Sequence, residues 1–211
     1  MIARIITRLP AIACLMAMGL LVGCEDDGGG GGGDIGDNNA NVVICVGDSI
    51  TQGYACDGAP YPSHLAGKTG KTVYNYGAGG ARASAGAGKI KSQLSCKPGY
   101  VCILYGANDA INGGDANGVK ESIRAIIAAC KDNKSIPIVA TTPPMVGPHK
   151  IYNEAVLSIN NAIRAVAGEE GVALVDLYGA FGGGESLLVS DGLHPNAAGA
   201  ELIAKCFAGC L

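Results

Sequence analysis

Short, wholly apolar runs alternate along this chain with longer stretches whose apolar residues recur every three or four positions. That alternation limits the possible folds more than any other feature. Val42–Val46, Tyr100–Tyr105, Ile136–Ala140 and Val172–Val175 have the composition of strands buried on both faces, and Thr72–Tyr76 is a weaker fifth. Val119, Ile123, Ile126, Ile127 and Cys130 repeat at helical spacing. So do Val156, Ile159, Ile163 and Val166, with Gly168 as the expected stop, and Pro195 suits the first turn of a last helix running toward Phe207. Strands alternating with helices imply parallel βαβ units with right-handed crossovers and helices on both sheet faces. The expected architecture is therefore an α/β fold, a three-layer α/β/α sandwich around a parallel sheet of about five strands, spanning residues 41–211. In such sheets reactive groups gather at the carboxyl ends of the strands.

Composition narrows the function classes. A 48% hydrophobic and 16% charged chain is not a disordered one. Glycine is in excess, 34 of 211 residues, but without the Gly-X-Y period of collagen. A formal charge of −3 lacks the basic footprint of a nucleic-acid binder, and no nucleic-acid partner is expected. Two Phe, eight Tyr and no Trp argue against a broad stacking platform.

The amino-terminal residues read as a targeting segment. Arg4 and Arg8 precede an apolar stretch from Leu9 to Gly23, too short to span a bilayer as a helix. It ends in Leu21-Val22-Gly23-Cys24, which resembles a bacterial lipoprotein signal. The resemblance implies a signal peptide over residues 1–23, lipidation of Cys24 and anchoring in the cell envelope. The alternative is an ordinary secretory signal with an incidental cysteine. Residues 24–40, acidic and with glycine at 28–33, are expected to be a flexible tether. Seven cysteines follow. Cys45 and Cys102 lie within strand-like runs and suit buried thiols, whereas Cys56 and Cys96 lie in loop-like segments and make the better disulfide pair. Spacing does not favour metal ligation, since there is no Cys-x-x-Cys and no closely spaced His pair.

Four strand ends carry polar groups of four kinds. Gly47-Asp48-Ser49-Ile50-Thr51 follows the first run and can expose a serine hydroxyl, although Asp-Ser at a strand end is also a common helix cap. Asn75-Tyr76-Gly77-Ala78-Gly79-Gly80 offers backbone N–H groups to a ligand. A dinucleotide reading fails there, because neither the third glycine nor a downstream acid is in place. Gly106-Ala107-Asn108-Asp109 presents a neutral amide donor, or an ordinary Asx turn. Asp191-Gly192-Leu193-His194-Pro195 spaces a carboxylate three residues before an imidazole, as a general base with an orienting acid requires. His64 and His149 have no such neighbour and read as surface or loop residues.

With Ser49, Gly77, Asn108, Asp191 and His194 in this order, the chain from Asn41 to its last helix resembles the SGNH hydrolases, or GDSL-type esterases. Ile50 stands where the family has leucine. The resemblance implies a flavodoxin-like sheet and a serine esterase that needs no cofactor or metal. Ser49 would attack an acyl carbonyl, His194 would act as base with Asp191 orienting it, and Ser49, Gly77 and Asn108 would form the oxyanion hole. Gly-x-Ser-x-Gly and Ser-x-x-Lys, the marks of two rival serine chemistries, are both absent. The substrate would be a small-molecule, glycan or lipid ester, with short acyl or O-acetyl groups favoured in so short a chain. Lysophospholipase or thioesterase activity on longer chains is the alternative, and a non-catalytic envelope-binding module is another. The six basic and no acidic residues between Gly58 and Asn108 fit either attraction of an anionic substrate or a solvated face.

Overall fold

The computed structural model describes residues 34–211, so the expected signal, Cys24 and the glycine run at 28–33 lie outside the described residues. The strands are β1 (Asn39–Gly47), β2 (Thr72–Gly77), β3 (Pro98–Leu104), β4 (Ile136–Ala140) and β5 (Ala173–Val175). The helices are α1 (Ser49–Gln52), α2 (Tyr61–Thr69), α3 (Ala83–Gln93), α4 (Ala107–Ile111), α5 (Ala116–Asp132), α6 (Asn153–Glu170), α7 (Leu177–Phe181) and α8 (Ala197–Ala208). Short 3-10 turns cover Leu94–Cys96 and Gly147–Tyr152.

All strands are parallel, in the order β2-β1-β3-β4-β5. From β1 the chain steps outward to β2, then returns past β1 to β3 and continues in the other direction. Right-handed crossovers running in opposite directions place their helices on opposite faces. Accordingly α3, α5 and α6 pack side by side, while α2 packs on α8. The sandwich is doubly wound, as the alternation predicts, and its core is the buried stretches of β1, β3 and β4 with the apolar stripes of α5 and α6.

Several boundaries differ from the sequence expectation. β1 begins at Asn39, and the residues just before it bond to the domain: the Asn38 amide donates to the Asn133 carbonyl at 2.6 Å and Lys134 pairs with Asp34 at 2.8 Å. The tether reading therefore does not hold for residues 34–40. α6 continues through Gly168 and ends at Gly171, which takes the left-handed conformation that closes a helix. Pro195 precedes α8 and forms an isolated bridge with Leu188; Asn196 caps the helix by accepting from Gly199 N–H at 3.0 Å.

The expected Cys56–Cys96 disulfide is also absent, and both are free thiols. α3 carries the chain back from the carboxyl edge, so Cys96 lands ahead of the amino end of β3, whereas Cys56 stays in the loop beyond α1. A disulfide needs Cα atoms within about 7 Å. Cys45 and Cys102 are register partners on β1 and β3, fully buried and free.

Candidate active site

The reversal of winding falls between β1 and β3, which opens a crevice beyond their carboxyl ends. Ser49 follows β1 and Asn108 follows β3, so the two border that crevice by topology alone. Asp48 and Ser49 divide the two roles that their position suggests. The Asp48 carboxylate caps α1 by accepting from Ile50 N–H at 2.9 Å, and Ser49 starts the helix with its hydroxyl directed elsewhere.

That hydroxyl lies 2.9 Å from His194 Nε2, and His194 Nδ1 lies 2.6 Å from Asp191 Oδ2. The other carboxylate oxygen of Asp191 accepts from the N–H groups of Leu193 at 2.8 Å and His194 at 3.0 Å. Partial burial works against the Asp191 charge, but the His194 ring and these two N–H groups outweigh it and hold the carboxyl below its ordinary value. An ionised carboxylate only accepts, so Nδ1 carries the ring proton and Nε2 faces the serine hydroxyl with a lone pair. Ser49 and His194 are 8% and 7% exposed, which shields this chain of bonds from competing water while leaving the serine reachable. An imidazole so placed can take a proton from the hydroxyl.

Asn108 turns an amide N–H to the Ala81 carbonyl at 3.1 Å, and its side chain also bonds to the buried Asp48 carboxyl. Gly77 differs from expectation. Its N–H already donates to the Asn75 side chain at 2.9 Å, and a Cβ there would strike the backbone at Thr51 and Gln52, so its lack of a side chain serves the packing of α1 on β2. Three residues on, the Gly80 N–H meets no acceptor among the described residues, beside the Ala81 carbonyl that anchors Asn108. The glycine-rich stretch 77–80 is legible in sequence; which of its N–H groups is free depends on the Asn75 side chain and is not.

Two further residues come to the site from outside the sequence expectation. Tyr54, 62% exposed, sets its ring edge-on to His194 at 4.9 Å between centroids. It borders a shallow recess lined by Ile50, Cys56, Pro60, Pro195 and Ile203. His149 reaches the Asp191 backbone, with Nδ1 2.7 Å from its carbonyl oxygen. Beneath Ser49, Asp48 and Asp109 are both buried, and Asp109 accepts from the Ala83 N–H at 3.1 Å.

A serine, an imidazole and a carboxylate linked at the carboxyl edge of a parallel sheet form the arrangement of a serine hydrolase. Residues 45–202 match the model of the GDSL-like lipase/acylhydrolase family, and the chain belongs to that family. Among curated proteins it is similar to an acetylxylan esterase of Xylanibacter ruminicola, 27% identical over 205 residues. The match covers 80% of this chain but only 42% of that protein. Among solved structures it resembles a lipase/acylhydrolase from Enterococcus faecalis, with TM-score 0.71 and 24% identity over 79% of this chain and 93% of the other. A catalytic mutant of an acetylxylan esterase from Geobacillus stearothermophilus superposes with TM-score 0.68 and 19% identity over 81% and 93%.

Proposed function

We propose that this protein is a serine esterase that removes short acyl groups, above all O-acetyl groups on a glycan, through an acyl-enzyme on Ser49. The observation that carries the reading is the continuous chain from Ser49 Oγ through His194 to Asp191, at 2.9 and 2.6 Å. Ser49 attacks the ester carbonyl as its proton passes to His194 Nε2. The Ser49–acyl bond forms through a tetrahedral intermediate, and Asp191 stabilises the imidazolium. His194 then protonates the departing alcohol, and water repeats the cycle to release the acid. The oxyanion is held by the Ser49 N–H, by the side-chain amide of Asn108 and by the Gly80 N–H in the place expected for Gly77.

Two observations favour a small acyl group. The recess that Tyr54 borders beside His194 is shallow and encloses no room for a long acyl chain. The exposed ring of Tyr54 at the mouth offers a flat apolar face to a sugar ring. Relatives named acetylxylan esterases agree with this preference. A series of p-nitrophenyl esters from acetate to laurate, with acetylated xylan in parallel, tests it. The proposal expects acetate to be cleaved fastest and acetate to be released from the polymer. Preference for laurate would instead support a lysophospholipase or thioesterase, and inertness toward every ester would support an envelope-binding module.

The envelope location rests on the Arg4/Arg8, apolar and Cys24 pattern of the sequence. Cys24→Ser should release the protein from bacterial membranes and abolish incorporation of labelled palmitate; unchanged labelling would refute lipidation at Cys24.

A further inference from the structure

The strap after β4 is fastened at both of its ends. The buried Asn160 side chain accepts from Thr142 N–H at 2.8 Å and donates to Thr142 O at 2.9 Å, and Asn153 holds Met145 in the same two-sided way at 2.9 and 2.8 Å. Beyond Met145 the chain reaches across to the turn that carries Asp191. Val146 N–H donates to Gly192 O at 2.8 Å, and His149 Nδ1 lies 2.7 Å from Asp191 O. A carbonyl can only accept, so Nδ1 of His149 is the donor. Gly192 has φ +74°, and a Cβ there would strike the Val146 carbonyl, so strap and turn touch backbone to backbone. The Asp191 side chain is itself about one third exposed, and among the described residues no Lys or Arg pairs with it.

We propose that His149 is a positioning residue: its bond to the Asp191 carbonyl holds the Asp191–His194 turn where the carboxylate meets His194 Nδ1. This inference rests on the esterase reading. His149 touches neither Ser49 nor the reacting ester, so its loss acts through the geometry of Asp191. A misplacement of about 1 Å can cost about 10²-fold in rate.

The test is steady-state hydrolysis of p-nitrophenyl acetate by the full chain and by His149→Ala and His149→Asn, with melting temperatures alongside. The Asn side-chain N–H stands the same number of bonds from the backbone as Nδ1 and can make the same bond. The expected result for His149→Ala is a fall in kcat of about 10–10²-fold with KM and melting temperature near those of the parent. His149→Asn should recover most of the lost kcat. Parent-like kcat in His149→Ala would overturn the proposal. So would an Asn variant no better than Ala, or a loss that tracks melting temperature. Inertness of the parent would defeat the esterase reading itself, whereas an active parent with an equally active His149→Ala would defeat the positioning role alone.

Discussion

Asp48 is buried to 1% one residue ahead of Ser49, with Asp109 nearby and Ile50 N–H as its hydrogen-bond donor. Burial pushes its carboxyl up to about 7; the charge of Asp109 adds to the rise and the Ile50 bond opposes it. Burial also raises Asp109, and Tyr105, desolvated and facing Asp48, is pushed up to about 12. The sign for stability follows. Between the ordinary carboxylate value of 3.8 and about 7, folded Asp48 holds a proton that the unfolded chain has released. Stability therefore falls as pH rises through that window and levels off above it. Asp48→Asn keeps an acceptor for Ile50 and removes the ionisation. Its melting temperature should exceed the parent's at pH 8, with the gain fading toward pH 4, and an equally steep decline in the variant would contradict this origin. In the proposed mechanism Asn108 is one oxyanion donor, so Asn108→Ala should lower kcat by about 10²–10³-fold with the fold intact. At this scale the sequence showed Ser49, Asn108, Asp191 and His194, because each stands at a strand end in a short local pattern. It did not show His149, whose partner is a backbone carbonyl 42 residues away, nor that Asn75 occupies the Gly77 N–H.

Elements were legible in proportion to their burial. β1 and β3 pair on both sides and are apolar and buried over Val42–Val46 and Val101–Leu104, whereas β2 is an edge strand with half-exposed residues and reads weakly for that reason. α2 and α3 gave no clear helical period. Three of the eleven residues of α3 are Ala and two are Gly, and such small side chains mark a face poorly. α2 buries Tyr61 and Leu65 but little else. Leu65 is fully buried where α2 packs on α8, so Leu65→Ala should cost about 2–5 kcal/mol, measurable by urea denaturation. A loss below about 1 kcal/mol would mean that the α2–α8 interface refills the gap. α5 and the end of α6 are joined at the surface by Arg124 to Glu169 and Glu170 at 2.7 and 2.8 Å, with Lys120 and Lys131 alongside. These pairs hold Glu169 and Glu170 below their ordinary values. Their contribution is present above the ordinary carboxylate range, is lost as pH falls through the folded values, and is weakened by salt.

For the molecule as a whole, strand order does what no single motif can. Winding outward to β2 and back across to β3 sets the ends of β1 and β3 side by side, and the last turn before α8 returns His194 to Ser49 across 145 residues. The sequence displayed the parts and a family resemblance; their meeting depends on the register of five strands and on the strap after β4. The proposed mechanism turns on Ser49, activated by His194, forming the acyl-enzyme. It is tested most directly by comparing p-nitrophenyl acetate hydrolysis by the parent and by Ser49→Ala at equal folded concentration. Loss of at least about 10³-fold in kcat with an unchanged melting temperature is the predicted result. Hydrolysis by Ser49→Ala at the parent rate would contradict it.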